Sequence, residues 1–262
     1  MDIIETLKAA GQQKLIAKLE SLTGEARKVL ERDIASQDWE ELKALYTEKS
    51  TASLDDNVSV DLKPMPFKIA ADDLRYDYWK ETGEILLGKG QVAAFLVAGG
   101  QGSRLGFDGP KGMFDIGLPS HKSLFQLQAE RLQNLAARVE HPIPWCIMTS
   151  PLNHEATVNF FTEHNFFGYA RENIRFFEQG TICALDPEGN AVVDENDRLA
   201  LVPDGNGGCF RALAQSGTLA WLIEKGVRYV FLYSVDNALC RICDPAFIGA
   251  LASEGRSMSA SR

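Results

Sequence analysis

The sequence predicts an α/β protein, with a mostly parallel sheet covered by helices on both faces and a small helical region ahead of it. Over residues 1 to about 48, apolar side chains recur at helical spacing: Leu7, Leu15, Leu19 and Leu22, then Val29, Leu30, Ile34, Leu42 and Leu45. From Val92 onward, short apolar runs alternate with helical stretches, the pattern that crossover connections impose on a parallel sheet. At 262 residues, 45% apolar and 24% charged, the chain can bury a full core.

Gly11 and Gly24 divide the N-terminal region into short helices with solvated charged faces. Residues 49–66, rich in Ser and Asp, read as a linker. Residues 70–87 return to helical spacing through Leu74, Tyr78, Ile85 and Leu86, with Tyr76 and Trp79 as packing residues. Beyond them the pattern predicts strands over 92–98, 144–149, 174–178 and 228–234, and helices over 123–139, 153–164, 207–225 and 244–251. Residues 180–201, with the turn Asp186-Pro187-Glu188-Gly189-Asn190, read as a hairpin inserted in that layout. The expected division is 1–48 for the N-terminal helices, 49–90 for linker and helix, and 91–262 for the sheet.

A net charge of −9 argues against nucleic acid or an anionic membrane surface as a partner. No apolar run approaches a membrane span, and Met1-Asp2-Ile3-Ile4-Glu5 is no signal peptide. Five cysteines, an odd number, point to reduced thiols and a cytoplasmic protein. Cys240-x-x-Cys243 lacks the second ligand pair a zinc site needs. The four histidines read as loop, helix-end or surface residues, and none stands at triad spacing. Oligomeric state is left open.

Chemistry concentrates at Phe-Leu-Val-Ala-Gly-Gly-Gln-Gly-Ser-Arg-Leu-Gly-Phe-Asp-Gly-Pro-Lys-Gly, from Phe95 to Gly112. A buried-strand run stops at Gly99-Gly100, and glycines follow at 102, 106 and 109 with Arg104 and Lys111 among them. Successive main-chain N–H groups in such a turn cradle an anion, and the two cations add charge against phosphate. A P-loop is excluded because no Gly-x4-Gly-Lys-Ser/Thr string occurs. The dinucleotide fingerprint also fails, since Leu105 takes the third-glycine position and Pro110 interrupts any helix. In open parallel sheets ligands bind beyond the carboxyl ends of the strands. Gln179-Gly180, Asp236-Asn237 and the turn 204–208 are expected there together with Gly99-Gly100.

With these residues in hand, the chain resembles the UDP-sugar pyrophosphorylases, and within them the eukaryotic-type UDP-N-acetylglucosamine pyrophosphorylases. The resemblance runs through residues 99–106 and Pro110-Lys111-Gly112-Met113. It continues through Leu118-Pro119-Ser120, Ser123 to Arg131, Pro203-Asp204-Gly205-Asn206-Gly207-Gly208 and Val235-Asp236-Asn237. It implies a Rossmann-like nucleotidyltransferase sheet and uridylyl transfer from UTP to an N-acetylhexosamine 1-phosphate, N-acetylglucosamine 1-phosphate in the first place. Glucose or galactose 1-phosphate, and a non-catalytic nucleotide-binding module, are the alternatives.

Under that resemblance Arg104 and Lys111 act on the triphosphate and the leaving pyrophosphate; either alone could be a solvated cation. Gln179 reads the uracil edge, where an isolated glutamine would be a polar strand end. Backbone groups of Val97, Ala98, Gly99 and Gly100 hold base and ribose. Gly205 lies along the nucleotide and Asn206 reaches the sugar phosphate, compatibly with a capping role for Asp204 or Asn206. Asp236 contacts magnesium or the sugar-phosphate side, or else closes an Asx turn with Asn237 beside it. The resemblance covers about the first half of a family member. A fragment, a split protein completed by a partner, and a degenerate copy that only binds nucleotide are therefore all expected possibilities.

Overall fold

The computed structural model describes residues 2–51, 71–205, 207–253 and 255. Asn206, residues 52–66 of the expected linker and the last seven residues lie outside them. The described elements run, in chain order, α1 (Ile3–Ala9), α2 (Gln13–Ser21), α3 (Gly24–Ala35), α4 (Trp39–Thr51), α5 (Tyr76–Gly88), β1 (Val92–Val97), α6 (Leu124–Val139), β2 (Trp145–Thr149), α7 (His154–Glu163) and β3 (Ile174–Glu178). They continue with β4 (Thr181–Cys183), β5 (Leu201–Pro203), α8 (Gly208–Gln215), α9 (Thr218–Glu224), β6 (Tyr229–Ser234) and α10 (Pro245–Ser253).

The chain forms two compact units, one of residues Met1–Pro64 with Thr181–Asp204, the other of Met65–Gly180 with Gly205–Arg262. In the first, β4 and β5 pair antiparallel and the bridges Leu185–Ala191 and Val193–Leu199 extend the hairpin. Leu7, Leu15, Leu19, Leu30, Ile34, Trp39 and Leu42 from the helices bury against Cys183 and Leu199 of the hairpin. Asp33 of α3 accepts two bonds from Arg198, at 2.6 and 2.7 Å, and a third from Leu199 N at 3.3 Å.

In the second unit the strands are parallel, in the order β3-β2-β1-β6. Side chains alternate across each strand, so each face of the sheet has its own core. Ala94, Leu96, Trp145, Ile147, Phe231 and Tyr233 face one core with residues of α5, α6, α7 and α10. Ala93, Phe95, Cys146, Met148 and Phe177 face the other, under Cys209, Ala212, Leu213 and Leu222 of α8 and α9. The expected fold class is the one observed.

Three local expectations are corrected. The helix expected over 207–225 is two, because Gly217 takes a left-handed φ of 75° between α8 and α9. Residues 49–51, expected as linker, belong to α4, which meets no glycine or proline over its length. The buried face of α5 is Trp79, Gly83 and Leu87, while Leu74, ahead of the helix, and Tyr78 and Ile85 are exposed. Gly83 decides that face: a Cβ there would sit 1.9 Å from Pro245 O, so the helix turns its bare backbone toward α10.

Candidate functional site

The loop after β1 closes on itself. Gln101 and Pro110 form a bridge, Gly102 N donates to Gly109 O at 2.8 Å, and Lys111 N donates to Gly100 O at 3.1 Å. This pairing returns Lys111 to the end of β1, although eleven positions separate it from Gly100 in sequence. Phe107 fills the loop, and a Cβ on Gly102 would meet its ring at 2.8 Å. The N–H groups of Gly99 and Gly100 make no hydrogen bond among the described residues, which leaves two donors at the carboxyl edge of the sheet.

Gln179 enters from β3. Its N–H donates to Thr149 O at 2.8 Å, and its carboxamide lies over Gly99, where a Cβ would come within 2.7 Å of Oε1. Thr149 is itself fixed, its hydroxyl donating to Phe177 O at 3.1 Å and lying 2.7 Å from His154 Nδ1.

Asp236 follows β6. Its Oδ2 accepts from Lys111 Nζ at 2.9 Å and its Oδ1 from the Ser234 hydroxyl at 2.6 Å. The Ser234 hydroxyl, and then the Lys111 ammonium, hold the carboxyl below the usual aspartate range. Two side chains of α6 pin the surrounding turn: Gln128 donates to Val235 O at 3.1 Å and Arg131 to Ala238 O at 2.6 Å.

The structure therefore brings together Gly99, Gly100, Lys111, Gln179 and Asp236 of the sequence-derived set. Val97 and Ala98 are at the same edge, but most of their backbone groups are engaged by the protein. Val97 O accepts from Val235 N at 3.0 Å, and Ala98 N donates to Met148 O at 2.7 Å. Arg104, on the 3₁₀ turn Ser103–Leu105, is exposed and makes no hydrogen bond or ion pair among the described residues. Gly205 stands before α8 with a φ of 81°, and a Cβ there would meet no described atom within 4 Å. Asn206 lies outside the described residues.

Sequence reasoning missed Ser234, Thr149 and Asn153. Each is a polar residue at a strand end or helix start, and that placement was the signal available. No group of three or more His, Cys, Asp or Glu that could hold a metal occurs among the described residues. No described helix is long and apolar enough to cross a membrane.

Residues 39–260 match the family described as UTP--glucose-1-phosphate uridylyltransferase. The chain is 37% identical over 276 residues to UDP-N-acetylhexosamine pyrophosphorylase-like protein 1 of Mus musculus, covering 99% of this chain and 54% of that protein. It is 42% identical over 215 residues to UDP-N-acetylglucosamine pyrophosphorylase of Saccharomyces cerevisiae, covering 79% of this chain and 45% of that protein. The crystal structure of the uridine diphosphate N-acetylglucosamine pyrophosphorylase from Trypanosoma brucei in complex with inhibitor matches with a TM-score of 0.79. It is 29% identical and covers 97% of this chain and 55% of that one. The chain spans about half the length of the curated relatives it matches.

Proposed function

Given that the chain belongs to the UTP--glucose-1-phosphate uridylyltransferase family, we propose that it binds UTP for uridylyl transfer to N-acetylglucosamine 1-phosphate, forming UDP-N-acetylglucosamine and pyrophosphate. The acceptor follows the relatives named for N-acetylated sugars, at 37% and 42% identity. Its setting is the cytosol.

The observation that carries the reading is the Lys111–Asp236 pair at 2.9 Å, seated beside Gly100 with Gln179 over Gly99. In the reaction an oxygen of the sugar phosphate bonds to the α-phosphorus of UTP as the bond to the bridging β-phosphate oxygen breaks, and pyrophosphate leaves. Both reactants are anions, so the protein acts by positioning and charge neutralisation, and no side-chain nucleophile or general base is required. The free N–H groups of Gly99 and Gly100 meet the nucleotide. The Gln179 carboxamide, with one donor and one acceptor face, suits the uracil edge. Lys111 exchanges its carboxylate partner for phosphate oxygens, Arg104 adds a second cation from the exposed turn, and Gly205 and Asn206 complete the nucleotide and sugar-phosphate sides.

Asp236 fits magnesium: it is an ionised hard-oxygen ligand beside the Lys111 ammonium, and magnesium commonly takes one carboxylate, with phosphates and waters supplying the rest. The metal would supply charge neutralisation on the phosphate oxygens.

The test is a coupled pyrophosphate-release assay with UTP, magnesium and either N-acetylglucosamine 1-phosphate or glucose 1-phosphate. Faster release with the N-acetylated sugar is expected. Equal or faster release with glucose 1-phosphate would overturn the acceptor. No release, together with no UTP binding by calorimetry, would overturn the function.

A further inference from the structure

Asn153 stands at the start of α7, yet its carboxamide makes no capping bond to that helix. It turns to the end of β1 instead. Its Nδ2 donates to Ala98 O at 3.0 Å and to Gly100 O at 3.3 Å, while its Oδ1 accepts from Ser150 N at 2.8 Å. Two carbonyl partners on one side and an N–H on the other fix which end of the amide is nitrogen. The residue is 1% exposed, so water does not replace these bonds when they are lost. The two carbonyls it holds flank Gly99, over which Gln179 lies, and Gly100 O is also the acceptor for Lys111 N. One buried side chain thus ties together the part of the glycine turn under Gln179 and the part that receives Lys111.

We propose that Asn153 is a positioning residue of the nucleotide site, whose carboxamide fixes Ala98–Gly100 in its ligand-meeting shape and, through Gly100, seats Lys111. The effect on UTP rests on the function proposed above; the bracing of the loop does not.

Asn153→Asp is the informative substitution. It preserves shape and the bond from Ser150 N, but replaces both donors with lone pairs facing two carbonyl oxygens. UTP affinity by calorimetry is expected to fall about tenfold, the scale of one lost buried bond. The preference for UTP over CTP falls with it, because Gly99 no longer presents Gln179 correctly. The introduced carboxyl regains one donor when protonated, so affinity relative to wild type, measured at each pH, recovers as pH is lowered. A merely structural role predicts neither the altered base preference nor that recovery. Asn153→Ala removes the donors without adding charge and decides the matter if the first variant does not fold.

Amide hydrogen exchange on the ligand-free chain separates the two readings. Exchange at Gly102 and Lys111 is expected to quicken in either variant, with Ala93 to Phe95 unchanged. Unchanged exchange at Gly102 and Lys111 would overturn the proposal whatever UTP does. Quickened exchange in a chain that does not bind UTP would support the brace and count against the proposed function. Quickened exchange with UTP affinity and base preference intact would overturn the positioning role.

Discussion

Gly112→Ala should damage both the fold and the site, for one geometric reason. A Cβ on Gly112 would lie 2.1 Å from Phe125 Cζ and 2.4 Å from both Cε atoms. Ordinary contact begins at 3.4 Å, so about 1.3 Å must be found by movement. Phe125 cannot supply it: the ring is fully buried, with Phe161 at 4.9 Å and Phe160 at 6.4 Å between centroids. The 3₁₀ turn Lys111–Met113 is the softer partner and moves outward, carrying Lys111 with it. Overpacking of this size costs about 1–3 kcal/mol, and the rigidity of the ring puts the expectation near 2 kcal/mol. Displacement of Lys111 opens the 2.9 Å bond to Asp236 beyond hydrogen-bond reach. Urea unfolding should show a lower midpoint at unchanged slope, UTP affinity should fall about tenfold, and Phe125→Leu in the same chain should restore part of the stability. Stability within about 0.5 kcal/mol of wild type, with UTP affinity unaltered, would refute the reasoning.

Gly83→Ala should destabilise the second unit by about 1–3 kcal/mol or more, read by urea unfolding, since its Cβ would meet Pro245 O at 1.9 Å and push α5 from α10. Asp33→Ala should cost about 1–3 kcal/mol, read by thermal melting, because it strips a two-point bond from Arg198 and strands Leu199 N; Arg198 is half exposed, so solvent recovers part of the loss. Ser234→Ala removes the largest cause of the low Asp236 pKa and should move its titration upward by carboxyl NMR. The sign follows from a lowered folded value: the stabilising contribution is complete above the ordinary aspartate pKa of 3.8 and is lost as pH falls through the folded one. In the variant the acid loss should therefore still begin near the ordinary aspartate pKa but be smaller and end at higher pH, and an unmoved titration would count against Ser234.

Much of this architecture is legible from residue patterns. The parallel strands show because each is a short apolar run ended by glycine or a polar residue, as Val92–Val97 is by Gly99-Gly100. The face of α5 is legible only in part: Trp79 reads as a packing residue and is buried, but hydrophobic periodicity gives no weight to Gly83, the residue whose missing side chain admits α10. The break between α8 and α9 hides in a lone Gly217, whose left-handed φ no neighbouring pattern announces. At the site, Gly99, Gly100 and Lys111 are readable from spacing within one loop and Asp236 from its place after a strand, whereas Gln179 reads alone as a polar strand end and is singled out by the family resemblance. Asn153 and Ser234 carry a weaker signal, a polar side chain at a helix start or strand end, and it is the parallel register of β1 with β2 and β6 that brings them to the glycine turn. Arg104 has the sequence context of a phosphate ligand yet projects from an exposed turn away from any described partner.

The central claim is that Lys111, drawn to Gly100 and paired with Asp236, belongs to a UTP site. Calorimetric titration of the 262-residue chain with UTP in magnesium, beside Lys111→Met, tests it most directly. Saturable binding in the range of about 1 μM to 1 mM, weakened at least tenfold in the variant while the fold is retained by circular dichroism, is the expected result. No binding by the wild-type chain, or equal binding by the two, would contradict it.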